Sequence, residues 1–448
     1  MDKLQVGFSR VDITPEEYTT LAGYGNDAYR MCNQIVDRLY GTCIAFRDAQ
    51  GKTLILCTAD LLNAIKYTVV DYAKRSISEA TGVPQELISV SVTHTHAGPS
   101  MYYEEDPLTH RYLVYYAKQM AKAAVEAIDD LAEAEISFGK RMVPNMTFVR
   151  HYIGKDDSYF GINYGSWKPG VKTYADVSDD QLQVMQFKRR EARDIVLVNW
   201  QCHATTTGGH HAPDFIMSSD FPGALRNHLE GLTGCHAAYF QGACGNLIPF
   251  SPIKTDMILE ERDYIGYGRA LAEAVIACME ENMQPAKAGL IRGLHYVYCG
   301  EVDHSDDYRV PEAHKVVDDF YEVSPEEQKA RLEKYKFNTV HHARQLLNRA
   351  ALGKTLEMDL YAYGIGDISF STTPFEMFNS NGRFVKNNTP FPITFMLAYS
   401  NGSNSYIADE LAHRYDCYEV NSRRFRKGVA EDIAQRCVTM LEQLKEES

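Results

Sequence analysis

No apolar run in the sequence approaches 18 residues, so no membrane-spanning helix is expected. Positive charge is in the minority. The 46 lysines and arginines face 60 aspartates and glutamates, for a formal net charge of -14. Nothing basic is clustered to offset that repulsion, so a phosphate backbone is a poor partner and no nucleic acid is expected. The opening MDKLQVGFSRVDITP lacks the long apolar core of a signal peptide and alternates as a first strand does, which points to a cytoplasmic protein. The ten cysteines are scattered without a C-x-x-C pair, and most lie in apolar segments where a free thiol acts as a small hydrophobe. A disulfide framework or a thiolate zinc site is not expected. Nucleophile and nucleotide signatures are missing too: no G-x-S-x-G elbow, no Walker A loop, no Rossmann glycine fingerprint and no H-E-x-x-H helix.

What is there is an ordinary globular balance, 45% hydrophobic and 24% charged, with ample material for a core. Strand-like and helix-like segments alternate throughout. Residues 41–47 and 53–59 read as a hairpin around DAQGK, 66–80 as a helix, 87–92 as a strand and 110–131 as a long Ala-rich helix. Strands follow near 135–140, 181–188, 194–202, 236–241, 289–299, 357–371 and 393–400. Helices are expected from about 221, over 259–281 and 428–445, and in the stretch 324–352, which opens with a Ser324-Pro325-Glu326-Glu327 capping box. Residues 152–178 and 300–322 read as long loops of the kind that form lids. With no linker or repeat, the economical expectation is an α/β fold, a single large domain of mixed β-sheets flanked by α-helices.

The chemistry gathers at strand ends. The run SVTHTHAGPS puts His94 and His96 one residue apart at the end of strand 87–92, on one face if the strand continues. Strand 194–202 also ends on a histidine, His203, before ATTTGGHHAPD. Either histidine alone reads as a satisfied hydrogen-bonding residue. Two apolar strands that both finish on histidine suggest a metal site, because neutral imidazole is the commonest ligand and catalytic zinc takes three protein ligands plus water. Two carboxylates are in contention for the third place. Glu376 follows Thr373-Pro374-Phe375 and equally fits a T-x-x-E capping box, and Asp220 equally fits an N-cap. Gly242 and Gly245 in QGACGNLIP suit a tight turn near a ligand or a purely structural one.

In order along the chain, VGFSRVDITP, SVTHTHAGPS, the strand ending at His203 with SSDFPG after it, QGACGNLIP and LAYSNGSNSYIAD resemble the neutral, non-lysosomal ceramidases. The likeness spans nearly all of residues 1–448 and corresponds to the family's N-terminal catalytic domain, without its C-terminal immunoglobulin-like domain. It implies a zinc amidase fold with the metal (Zn2+) on His94, His203, Glu376 and Tyr406, His96 as a non-ligand active-site histidine and Arg150 as an active-site arginine. One position departs. The family reads Gly-Asp-x-Ser-Pro where this chain has Gly245-Asn246-Leu247-Ile248-Pro249, so the family serine is Ile248 here and cannot hydrogen-bond or act as a nucleophile. The expected protein is therefore a zinc-dependent hydrolase that cleaves a small N-acyl substrate with a metal-activated water, ceramide itself being a poor fit. Two other readings stand beside it: an amidohydrolase-type barrel carrying the His-x-His motif, and a non-catalytic binding protein.

Overall fold

The computed structural model describes residues 4–446 except 18, 25–29, 103, 162–169, 208–214, 252–262 and 416. Its larger sheet contains nine strands: β1 Gln5–Asp12, β2 Tyr40–Arg47, β3 Thr53–Ala59, β4 Ile88–Val92, β5 Ala132–Met142, β6 Gln181–Arg189, β7 Ile195–Trp200, β8 His236–Gln241 and β9 Gln284–Ala286. The order is β8-β7-β6-β5-β1-β2-β3-β4, with β9 beside β5. The pairs β3–β4 and β7–β8 are parallel and the other neighbours antiparallel. A second sheet runs β10 Ile291–Glu301, β11 Thr355–Ile365, β12 Ile368–Thr372 and, parallel to β12, β14 Ile393–Leu397. Between them in sequence lies the two-residue strand β13 Glu376–Met377, paired in parallel with β15 Tyr406–Ile407. An amidohydrolase barrel, built from parallel strands throughout, is not what forms.

Both faces of the central strands are buried, which explains why they read as continuous apolar runs. Along β2 and β3, Ile44, Phe46, Leu54 and Leu56 point toward the second sheet and meet Tyr363, Phe370, Ile393 and Phe395. The alternate residues Cys43, Ala45, Ile55 and Cys57 face helices α1 Asp71–Thr81 and α2 Pro107–Asp129. Helices α3 Asp220–Thr233 and α4 Tyr264–Glu281 cover β6 and β7 on the same outer side. The second sheet is covered in turn by α8 Asn379–Asn388 and α9 Val429–Glu446. The result is four layers, helix–sheet–sheet–helix, as the mixed-sheet expectation anticipates.

Several local expectations change. The helix at 66–80 opens with a wide turn over Lys66–Val70 before α1. The first residues of the helix expected from 259 lie outside the described residues. The supposed loop at 152–178 carries a small three-stranded sheet of His151–Gly154, Tyr159–Gly161 and Val171–Tyr174. The stretch 300–354 inserts three helices, α5 Val310–Val317, α6 Pro325–Tyr335 and α7 Val340–Ala350, around their own small core of Phe320, Phe337 and Leu346. Ser324 caps α6 as expected, its Oγ accepting from Glu327 N, while the Glu327 carboxylate turns to Arg331. The stretch breaks at Lys336, which turns into the left-handed region, and Thr339 caps α7.

Candidate metal centre

In the order of the larger sheet, β4 is an end strand and β7 lies next to the other end. The sheet must therefore curl for His94 and His203 to meet. It does: Thr95 and Ala204 form a parallel bridge, and His96 N donates to Ala204 O at 3.0 Å. The outer edge of β4 is covered by residues 399–401, with Val92 N donating to Tyr399 O and Asn401 N to Val90 O. This leaves no open edge at the site.

The strand ends at Val92, so His94 and His96 sit on the loop beyond it. His94 has φ 61, in the left-handed region that a non-glycine residue enters at a cost. That turn aims its ring inward. His94 Nδ1 donates to Leu62 O at 2.7 Å, and His203 Nδ1 faces the carbonyls of Cys244 at 2.7 Å and Leu247 at 2.9 Å. Each carbonyl claims the Nδ1 proton and fixes the tautomer, so each Nε2 presents a lone pair. Burial, helped by Arg150 and His94, pulls His203 down to about 4, so it stays neutral near pH 7.

Glu376 completes the group. Its Oε2 lies 3.3 Å from His94 Nε2 and 3.3 Å from His203 Nε2. Lone pairs of neutral imidazoles and a carboxylate repel at such separation unless a cation lies between them. Both His203 Nε2 and Glu376 Oε2 are buried with no hydrogen-bond partner. Donors about 2.0–2.1 Å from a tetrahedral zinc stand about 3.3–3.4 Å apart, so the spacing fits the ion.

Glu376 does not cap a helix. It lies on β13, three residues before α8 begins, and α8 has no side-chain cap at Phe378. Asp220 is not a simple N-cap either. At φ 56 it accepts from Thr207 N at 2.7 Å, Thr207 Oγ1 at 2.5 Å, the Thr206 hydroxyl and Phe221 N at 2.7 Å, fastening the loop that follows His203. Gly245 packs against the same strand as Glu376. Its N–H donates to Met377 O at 2.7 Å, and a Cβ there would lie 2.4 Å from Glu376 O.

His96 Nε2 is 3.3 Å from His94 Nε2, close enough for all three imidazoles to count among the possible donors to one ion. The backbone distinguishes them. His96 Nδ1 is buried without a hydrogen-bond partner, whereas a ligating histidine almost always donates its other ring N–H. Gly23, at φ +115, runs directly over this ring, where a Cβ would come within 2.9 Å of His96.

The Tyr406 side chain follows from the β13–β15 pairing, which sets it opposite Glu376. Its ring lies nearly parallel to His203, with centroids 6.5 Å apart. The Arg150 guanidinium sits 5.4 Å over the Tyr406 ring. Arg150 is otherwise absorbed by the protein: Nε pairs with Glu419 at 2.6 Å and Nη2 donates to Gly245 O at 2.8 Å. Ile248 is buried on a short strand, Leu247–Ile248, paired with Phe148–Val149.

Sequence reasoning missed the residues behind this arrangement. Glu419 also takes His151 Nε2 at 2.7 Å, and with Cys417 these side chains form a second group of possible metal donors. Both Glu419 oxygens are already engaged, by Arg150 and His151, so the group reads as the anchor of Arg150. Tyr418 meets Tyr406 edge-on at 5.6 Å, and His341 from the inserted α7 stacks on Tyr418 at 5.6 Å. Tyr399 lies against His94 with centroids 4.0 Å apart. No local signal marks Glu419 or His341; Tyr399 lies in the LAYSNGSN stretch already singled out.

No protein-family model matches the sequence, and no curated protein matches it. Solved structures do. A ceramidase complexed with C2 superposes with a TM-score of 0.72 at 16% identity, covering 99% of this chain and 76% of that one. Neutral ceramidase from Pseudomonas aeruginosa superposes with a TM-score of 0.73 at 17% identity, covering 99% and 75%. The helix–sheet–sheet–helix fold that brings His94, His203 and Glu376 together is the neutral ceramidase fold.

Proposed function

We propose that the protein is a zinc-dependent amidase acting on a small N-acyl compound, with residues 1–448 serving as one catalytic unit. The observation that carries this is the convergence of His94 Nε2 and His203 Nε2 on Glu376 Oε2, each 3.3 Å from it, with His203 Nε2 and Glu376 Oε2 lacking a hydrogen-bond partner. Tyr406, fixed opposite Glu376 by the strand pair, is the fourth donor. A zinc ion held there supplies Lewis acidity to an amide carbonyl and lowers the pKa of a water toward about 7.

The chain's own residues do the rest. His96, neutral and without a carbonyl partner on Nδ1, holds and passes a proton at Nε2 beside the His94 ring. Arg150 keeps the Tyr406 ring and the Gly245 turn in place, its charge balanced by Glu419. Ile248 offers no hydroxyl, so the substrate is recognised by other groups than in the ceramidases' serine-bearing sites. A cytoplasmic location accords with ten cysteines that form no disulfide.

The test is elemental analysis of protein purified without added metal, followed by a panel of N-acyl sugars, N-acyl amino acids and short ceramides. About one zinc per chain with amide cleavage is expected. Zinc without cleavage of any panel member favours the binding-protein reading, and no zinc uptake overturns the metal site itself.

A further inference from the structure

Almost every deeply placed arginine in this acidic chain has a carboxylate. Arg226 holds Asp60, Arg349 holds Asp306, Arg189 holds Asp130 and Arg423 holds both Asp303 and Asp306. Arg424, the next residue, has none among the described residues. Its side chain is partly buried, and among the described residues its one hydrogen bond runs from Nη1 to Asn404 Oδ1 at 3.2 Å. Among those residues Tyr102 is the ionisable group that acts on it, and burial pulls the guanidinium below its ordinary value. A guanidinium carries five N–H donors in a planar fork, and desolvating it without an anion is unfavourable.

The surroundings tie Arg424 to the metal centre. Asn404 precedes Tyr406 by two residues, so their Cα atoms are at most about 7 Å apart. Tyr102 follows His96 on the same loop, and its hydroxyl accepts from Asn63 Nδ2. Asn63 in turn follows Leu62, whose carbonyl holds the His94 ring. Two loops that build the metal centre thus each bring one polar side chain to this arginine, Asn404 through a hydrogen bond and Tyr102 through its electrostatic influence.

We propose that Arg424, with Asn404 and Tyr102, forms a subsite for a carboxylate carried by the substrate, which makes the substrate class the N-acyl amino acids. The inference rests on the zinc amidase reading for its placement of the scissile amide. A fork of N–H donors suits a planar carboxylate in a bidentate pair. A single guanidinium matches one negative charge better than a phosphate dianion.

Zinc-free full-length protein should be titrated calorimetrically with N-acetyl amino acids bearing small, aliphatic and aromatic side chains, and with their carboxamides. For the best-bound side chain, the carboxylate should bind at least about tenfold tighter than the carboxamide. In Arg424→Gln that preference should fall to about twofold or less, with zinc uptake unchanged, and Arg424→Lys should recover part of it. Equal binding of acid and carboxamide by the wild-type protein, no binding of either at millimolar concentration, or a preference that survives Arg424→Gln overturns the subsite. The wild-type comparison decides even if the variants fail to fold. A zinc-loaded enzyme that cleaves N-acyl compounds without favouring acids refutes the subsite and leaves the amidase standing. Carboxylate selectivity in a protein that takes up no zinc does the reverse.

Discussion

Replacing Glu419 with glutamine removes the charge that anchors Arg150 while keeping the side chain's shape. The carboxylate is fully buried, with Oε1 2.6 Å from Arg150 Nε and Oε2 2.7 Å from His151 Nε2. Burial pushes this carboxyl up, but the Arg150 and His151 charges outweigh it and hold it at about 2. An unfolded glutamate titrates near 4.3. The gap of a little over two pH units, at about 1.4 kcal/mol each, makes the folded carboxylate worth about 3 kcal/mol at neutral pH. Removing one partner of a buried ion pair destabilises by a similar ~3–5 kcal/mol. The sign follows from the depressed value: the contribution is complete above about pH 5 and is lost as pH falls toward 2. In a chain of this length the unfolding entropy is near 0.9 kcal/mol per degree, so Glu419→Gln should lower Tm by about 3 °C at pH 7. The deficit should shrink steadily on acidification below pH 5. Calorimetry across pH 3–7 is the assay. A Tm within half a degree of wild type at pH 7, or a deficit that does not narrow in acid, refutes the reasoning.

Other outcomes follow from the same geometry. His96→Ala should keep its zinc yet lose most of its turnover, with an altered pH–rate profile; metal loss equal to that of His94→Ala would make His96 a ligand. Gly245→Ala drives a methyl toward Glu376 O, 2.4 Å away, and should weaken zinc retention by tenfold or more in a chelator competition, about 1.4 kcal/mol or above. His341, drawn down to about 4 by burial first and by Arg344 next, stays neutral in the fold but takes a proton near 6.5 when unfolded. Its contribution is whole above about pH 6.5 and lost as pH falls toward 4, so His341→Phe should reduce the drop in Tm across that window while preserving the stack on Tyr418.

The strand-end histidines were legible because each closes an apolar run, a pattern that local sequence carries by itself. Their convergence was not. It depends on a curled sheet that joins Thr95 to Ala204, more than a hundred residues apart. Thr373-Pro374-Phe375-Glu376 shows why Glu376 stayed ambiguous: the tetrapeptide satisfies a capping pattern, yet pairing with Tyr406, thirty residues on, makes it a strand. Tertiary pairing overrode local propensity there, as it did in the supposed loop at 152–178. His94 was expected on a strand face and instead reaches the same place through a left-handed backbone, a conformation no pattern of side chains announces. Arg150 was expected as an active-site arginine; its partner Glu419, which holds the guanidinium over the Tyr406 ring, is invisible in sequence.

The most direct test of the metal centre is zinc content, measured by elemental analysis on His94→Ala, His203→Ala and Glu376→Gln beside the wild-type protein, each dialysed against the same chelator and confirmed folded by circular dichroism. Wild type should hold about one zinc per chain and each variant close to none, because each change removes one of three donors, Glu376 Oε2 and the two histidine nitrogens 3.3 Å from it, that converge on a single ion. Full zinc retention by the folded variants would place the metal elsewhere and contradict the account.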